Sequence, residues 1–357
     1  MSNSAPFFSI IIPACNVADY IAELIASVKA QTFTDFECIC VVEESTDGTL
    51  ALIQSLIADD RRFAVVSLPC SGSASVSRNY GIQNATGQYI FFADGDDVLE
   101  ETLLARSHAA VAEFGNLDII GIAATVFHIG DNNEFKVEEV IKRNLPKNQI
   151  LSGKKALEII LQNRFRSATW LQCYRRGLLV ENELYQVPGR RHQDDEWTYR
   201  VFWAAQSIVY IGGVGYYYRH RSNSVTTTLN LRSIHDIAAN IISFLEFYKT
   251  HYRQMSKDLR YGFCSWVNDF MSRFFRLKKY DIELRRQALK QIFAAGRWRI
   301  YLQMLWYAKL TFKLLAPCFL IARWHWGLVL AQTIYLNVFW RIIVWRGNVS
   351  KVNLRHT

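Results

Sequence analysis

Tyr89-Ile-Phe-Phe-Ala-Asp94-Gly-Asp96-Asp97 decides how this chain is read. An unbroken apolar run, too short for a helix, delivers three carboxylates into one turn. Such a run reads as a strand buried on both faces. Carboxylates this close repel one another unless a cation sits among them. A Mg²⁺ or Mn²⁺ ion bridging a diphosphate meets that need, because hard cations take oxygen ligands and share them with phosphates. The same turn also suits plain capping of a helix starting at Val98, since Asp is favoured at turns and helix starts.

Working outward, the same grammar repeats. Phe8 to Pro13, Phe36 to Glu43, Phe63 to Leu68, Gln88 to Ala93 and Asp118 to Phe127 read as strands. Asp19 to Ala30, the residues after Gly48 to about Ala58, Ser73 to Ala85 and Val98 to Phe114 carry apolar residues at helical spacing. Strands alternating with helices, without hairpin signals, predict a mostly parallel, Rossmann-like α/β sheet flanked by helices. Ligands of such sheets bind beyond the carboxyl ends of the strands, which is where the polar residues fall. Further on, Ser152 to Arg164 and Gln193 to Ala205 read as helices, and Ile208 to Ile211 and Gly215 to Arg219 as strands. From Ser233 onward the pattern is helix after helix.

Several linked motifs resemble glycosyltransferase family 2, the inverting enzymes of GT-A fold. They are Ser9-Ile-Ile-Ile-Pro13-Ala-Cys-Asn16, Ser45-Thr-Asp47-Gly48-Thr49, the Arg78-Asn79-Tyr-Gly81 segment and the acidic turn, in that order. Arg191-His192-Gln193-Asp194-Asp195-Glu196-Trp197 resembles the family's Glu-Asp segment, and Tyr216-Tyr-Tyr-Arg219-His-Arg221-Ser-Asn-Ser224 its closing aromatic-Arg strand. The resemblance covers about residues 7 to 226 and leaves out the tail. It implies Pro13, Asn16, Glu43, Asp47, Arg78, Asp94 and Asp96 at a nucleotide-sugar donor, with uracil as the base. It implies Asp96 as the main metal ligand, Asp94 near the ribose or donor sugar, Asp97 as support and Asp194 as general base. Like charge from Asp195 and Glu196 is expected to raise the Asp194 pKa, which suits a base. Arg78 serves equally as a donor contact or as an ion-pair partner for a nearby carboxylate.

There are departures. Val42-Glu43-Glu44 stands where the family often has Asp-Asp-Gly, and Gln193 where Glu is usual. Trp170 and Arg175-Arg176 lie in what is often an acceptor-side element, with Gln172 in place of its usual Lys. His192 and His220 read as surface or site-rim residues.

The bulk composition frames this. The chain has 357 residues, 50% hydrophobic, with a formal net charge of +9. From Leu284 to Thr357 there is no Asp or Glu, against twelve Lys and Arg. The same tail interleaves Trp298, Trp306, Trp324, Trp326, Trp340 and Trp345. Its longest uncharged stretch, Trp324 to Trp340, falls short of the roughly 20 residues that span a bilayer. Amphipathic helices on an anionic membrane surface fit; a helical bundle packed on the catalytic domain is the plainer reading. Nucleic-acid binding gets no support from the other motifs. The seven Cys show no metal or redox pairing, and the amino terminus does not read as a signal peptide, so reduced thiols and a cytoplasmic site on the inner membrane face are expected.

The expected organisation is a GT-A catalytic domain over 1–228, with nucleotide-sugar binding in 1–128 and the acceptor part in 129–228. A basic, aromatic, helical extension follows over 229–357. The expected activity moves a sugar from a nucleotide-sugar, of UDP type, to a hydroxyl of a glycan or lipid-linked acceptor in surface-polysaccharide assembly, with Mn²⁺ or Mg²⁺. The competing reading is a non-catalytic sugar-nucleotide-binding or membrane scaffold protein of the same fold.

Overall fold

The computed structural model describes residues 5–130, 134–162, 167–221 and 231–276, with isolated positions between 287 and 300. The chain divides into two compact units, Met1–Ser243 and Phe244–Thr357. The division falls within a helix described below.

The first unit opens with β1 (Phe8–Ala14), α1 (Ala18–Lys29), β2 (Phe36–Glu43), α2 (Thr49–Ile57), β3 (Phe63–Leu68), α3 (Ala74–Asn84) and β4 (Tyr89–Phe92). These four strands lie in the order β3-β2-β1-β4 and all pair in parallel. Every residue of β1 is buried. A strand covered by helices on both faces has no polar side to show, hence its unbroken apolar run. Gly81 lets α3 lie against this strand: a Cβ there would come within 2.3 Å of the Ile11 side chain.

The second half mixes directions. Next come β5 (Val98–Leu99), α4 (Leu103–Phe114), β6 (Ile119–Ile129), β7 (Phe135–Ile141), α5 (Gly153–Gln162), β8 (Gln172–Arg175), α6 (Arg176–Glu181), α7 (Gln193–Ala204) and β9 (Ile208–Arg219). The sheet continues β4-β8-β6-β9-β5, with β7 also on β6. β8 runs antiparallel to both β4 and β6, while β6 and β9 are parallel. Inserting one reversed strand returns β6 and β9 to the direction of β4. Their carboxyl ends therefore finish on the same edge as the acidic turn, and β8 begins there.

Three local expectations change. The helix expected from Val98 starts at Leu103, because Val98 and Leu99 pair with Tyr217 and Tyr216 of β9. The two strands expected over 208–219 are one, kinked where Gly212 and Gly213 take φ of 62° and 69° and the pairing with β6 shifts. Glycine enters that region without a side-chain clash. The β6–β7 hairpin had no signal: the last six residues before Ile141 in β7 are exposed, so no apolar alternation marks it.

α8 (Leu231–His251) begins in the first unit and ends in the second. Its second half packs with α9 (Lys257–Arg276), the rings of Phe244 and Trp266 lying 4.0 Å apart. Among the described residues no helix is long and apolar enough to cross a membrane. The tail tryptophans, the Asn223-Ser224 turn and the acid-free stretch beyond 300 lie outside the described residues. Six cysteines are described and all are free: Cys38, Cys40, Cys173 and Cys264 buried, Cys15 and Cys70 exposed.

Candidate active site

The acidic turn follows β4 directly, and its three carboxylates have different surroundings. Asp97 is fully buried. Its Oδ2 accepts from the Tyr216 hydroxyl at 2.6 Å and its Oδ1 from the Arg219 amide at 2.8 Å. Burial, followed by the charges of Asp96 and Asp94, pushes its pKa well above the carboxylate range. Asp97 is thus the anchor that ties the turn to β9. Asp96 keeps about a fifth of its side chain exposed and pairs with the Arg221 Nε at 2.8 Å. Its pKa is raised by burial and by Asp94, against the pull of Arg221. Asp94 is about a quarter exposed, and its Oδ1 accepts from Arg78 Nη2 at 2.6 Å.

Arg78 is an ion-pair partner of two carboxylates. It lies on α3, is 3% exposed, and forks between Asp94 and Asp194, with Nη1 3.2 Å from Asp194 Oδ1. Burial disfavours its charge, but the two carboxylates outweigh that and raise its pKa. Asp194 sits in the first turn of α7, where carboxylates favour the helix dipole. Its pKa is raised, as expected, but for a different reason. Burial dominates, Arg78 opposes it and Asp94 adds to it. Asp195 and Glu196 are not behind the shift; Asp195 bonds to Ser167, and Glu196 pairs with Arg200 at 2.8 Å. The second Asp194 oxygen receives only a long bond, 3.4 Å, from the Thr169 amide.

The donor-side residues expected on β1 and β2 lie on the same sheet edge, and two of them are held by bonds within the protein. Glu43 is 3% exposed and spends both oxygens on the following loop. Oε2 accepts from the amides of Ser71 at 2.7 Å and Gly72 at 3.3 Å, and Oε1 from the hydroxyls of Ser71 at 2.8 Å and Ser77 at 3.0 Å. Asp47 likewise holds the amide of Ala18 at 2.9 Å with one oxygen and the amide and hydroxyl of Thr49 at 3.0 Å and 2.6 Å with the other. It caps the starts of α1 and α2 at once. Burial opposes its charge, but these bonds prevail and lower its pKa. Pro13 is buried at the end of β1, while Asn16 is exposed with φ 51° and accepts from the Thr46 amide at 2.9 Å.

Other groups carry more of the site than their sequence signal suggested. The Tyr216 hydroxyl accepts from the Asp94 amide at 3.0 Å while donating to Asp97, so it pins both ends of the acidic turn. Arg219 donates from Nε to the Asp96 carbonyl at 2.9 Å. Trp170 stacks on Tyr216 at 4.6 Å and on Tyr218 at 5.3 Å, just before β8. The Tyr-x-x-Arg spacing was visible, but its partners are more than a hundred residues away. Arg175 is at the other end of β8 and pairs with Asp118 at 2.7 Å, away from the turn. His220 is half-exposed beside Glu138.

Among the described residues no cluster of three His, Cys, Asp or Glu side chains is arranged to hold a metal unaided. Asp94 and Asp96 nevertheless supply two hard, partly exposed oxygen donors, each also paired with an arginine. Mg²⁺-like ions are commonly held by one or two carboxylates with phosphate oxygens completing the shell. The donor set fits a cation that arrives with a diphosphate.

The pattern of Glycosyl transferase family 2 matches residues 9–175, which contain the acidic turn, Arg78 and the loops around Glu43. Residues 9–175 are a glycosyltransferase family 2 domain. The glycosyltransferase is 30% identical over 225 residues to EpsJ of Bacillus subtilis, covering 62% of this chain and 63% of EpsJ. It is 25% identical over 342 residues to YibD of Escherichia coli, covering 91% of this chain and 95% of YibD. Both are described as uncharacterized glycosyltransferases. TarS of Staphylococcus aureus, a poly(ribitol-phosphate) beta-N-acetylglucosaminyltransferase, is 26% identical over 215 residues, 59% of this chain and 35% of TarS. The crystal structure of TarS residues 1–349 in complex with UDP-GlcNAc superposes with a TM-score of 0.65 at 20% identity, covering 82% of each chain. That likeness is one of fold, and the fold is GT-A with helices at the carboxyl end. In this glycosyltransferase, Arg78 joins a carboxylate of the acidic turn to the first-turn carboxylate of α7.

Proposed function

We propose that the enzyme is an inverting transferase that moves a sugar from a uridine-type nucleotide-sugar to a hydroxyl of a glycan or lipid-linked acceptor in surface-polysaccharide assembly. The observation that carries this reading is the bridge from Asp94 through Arg78 to Asp194. It couples the edge suited to a diphosphate to a carboxylate whose second oxygen is only weakly engaged. Asp194 accepts the proton of the acceptor hydroxyl, its raised pKa making it a stronger base than an ordinary carboxylate. The hydroxyl attacks the anomeric carbon directly, which inverts its configuration. Arg78 remains protonated throughout and keeps Asp194 ionised until that transfer. Asp96, with Asp94, would hold a divalent cation, which when bound neutralises charge on the departing diphosphate. The exposed Asn16 and the backbone at Pro13 border the donor.

The names of relatives support the pathway class: TarS acts on poly(ribitol-phosphate), and TuaG of Bacillus subtilis, 39% identical over 106 residues, is a putative teichuronic acid biosynthesis enzyme. The acid-free, Trp-rich tail supports a peripheral position on an anionic membrane surface. The test is diphosphate release from a panel of UDP-, GDP- and dTDP-sugars with Mn²⁺ or Mg²⁺, for wild type and Asp96→Ala. Release from one donor, abolished in the variant, supports the reading. No release and no nucleotide binding with any donor would leave a scaffold protein. Salt-sensitive binding to anionic liposomes, without binding to DNA, supports the membrane placement.

A further inference from the structure

α8 lies beyond the matched family pattern, yet its first half bonds to the segment just ahead of α7. Asp236, Asn240 and Ser243 recur at helical spacing, so they share one face of α8. All three bond to consecutive residues just ahead of α7. Ser243 Oγ and Asn240 Oδ1 accept from Arg190 Nη1 at 3.1 Å and 3.3 Å. Asp236 Oδ2 accepts from the Arg191 amide at 3.2 Å. Asn240 Nδ2 donates to the His192 carbonyl at 2.9 Å.

That carbonyl matters because it also accepts from the Asp195 amide at 3.2 Å, within the first turn that carries Asp194. His192 has φ 53°, a left-handed conformation that a residue with a Cβ holds only when its surroundings fix it. Asn240 is fully buried, and its side chain is divided between Arg190 and His192. α3 and its N-cap Ser73 also grip the stretch from Gln186 to Arg190. Ser73 Oγ donates to the Arg190 carbonyl at 2.5 Å, Ser75 Oγ accepts from the Gly189 amide at 3.0 Å, and Asn79 exchanges two bonds with the Gln186 backbone at 2.7 Å and 2.8 Å. α3 also bears Arg78, so it sets both the guanidinium and one side of the approach to its partner.

We infer that Asn240, with Asp236 and Ser243, is a positioning residue for catalysis, holding the 190–192 segment so that α7 presents Asp194 to Arg78 and the acceptor. This rests on Asp194 being the base. Asn240 touches neither substrate nor reacting atoms. Its effect runs through the His192 carbonyl, so it should alter turnover rather than donor affinity.

The experiment uses the full chain with Asn240→Asp and Asn240→Ala, alongside Asp194→Asn. Asn240→Asp keeps the acceptor for Arg190 but removes the donor to His192, and is the milder change. Amide hydrogen exchange needs no substrate: the 190–197 peptide should exchange about ten-fold faster in both Asn240 variants, with the 74–84 peptide unchanged. With the donor identified by the release panel, kcat should fall about 10- to 100-fold while donor KM and UDP affinity stay within about two-fold. Adding His192→Gly to Asn240→Ala should recover part of kcat, since glycine adopts the left-handed conformation freely. Unchanged exchange and unchanged kcat would overturn the inference. So would equal loss of turnover and UDP affinity, or failure of both variants to fold, each marking Asn240 as merely structural. Full activity in Asp194→Asn would instead overturn the base assignment.

Discussion

Tyr216→Phe removes one oxygen from the site and leaves the ring. That oxygen is fully buried and makes two bonds, donating to Asp97 at 2.6 Å and accepting from the Asp94 amide at 3.0 Å. The stack on Trp170 at 4.6 Å survives the change, so the loss is of hydrogen bonds and not of packing. Two buried polar groups are stranded, and each costs about 1–3 kcal/mol when left without a partner. A loss near 3 kcal/mol is expected, which lowers the melting temperature by about 6–12 °C for a domain of this size. The loss should depend on pH. The Asp97 pKa already lies well above the carboxylate range, and the Tyr216 bond is one of the effects holding it down. Removing that bond raises it further. A group whose folded-state pKa exceeds its unfolded value loses its stabilising contribution as pH rises through the folded value. The deficit should therefore be larger at about pH 8 than at about pH 5.5. Thermal unfolding at the two pH values decides it. A deficit under about 0.5 kcal/mol, or one that is the same at both, would refute the anchoring role.

Other perturbations separate the parts. Arg78→Met leaves Asp94 and Asp194 without their cation; since each is about a quarter exposed, the loss should be about 1–3 kcal/mol rather than that of a fully buried pair, measured by urea unfolding. Turnover in wild type should fall as pH drops through the raised Asp194 pKa, because the protonated group cannot act as a base. In Arg78→Met that acid limb should move to higher pH, read from the rate profile of whatever activity remains. Gly81→Ala forces a Cβ to within 2.3 Å of Ile11 and should destabilise by about 1–3 kcal/mol, as chemical denaturation would show. Asp47→Ala uncaps two helices and should lose about 1–2 kcal/mol above pH 4, with the difference closing as the wild-type carboxyl titrates on acidification.

β1 and β2 were legible because burial on both faces writes itself as unbroken apolar runs, and β2 falls on the predicted residues; β3 also falls on its predicted residues, although as an edge strand it is only partly buried. Arg78, Asp94 and Asp194 were legible as a set through the family resemblance, and the structure brings them together. The roles of Glu43 and Asp47 were not, since a carboxylate looks alike in sequence whether it faces a ligand or a loop. Which it does depends on Ser71 and Ser77, or on Ala18, across the fold. β8 was missed because its four residues become a strand only between β4 and β6. The reason for the raised Asp194 pKa was also hidden, because it lies in burial and not in the neighbours in sequence, which bond to Ser167 and Arg200.

The most direct test of the central claim compares Asp194→Asn with wild type in turnover and in UDP affinity on the same preparation. The account predicts turnover reduced by about a hundred-fold or more, the scale set by removing a general base, with UDP affinity essentially unchanged. Retained turnover would contradict it.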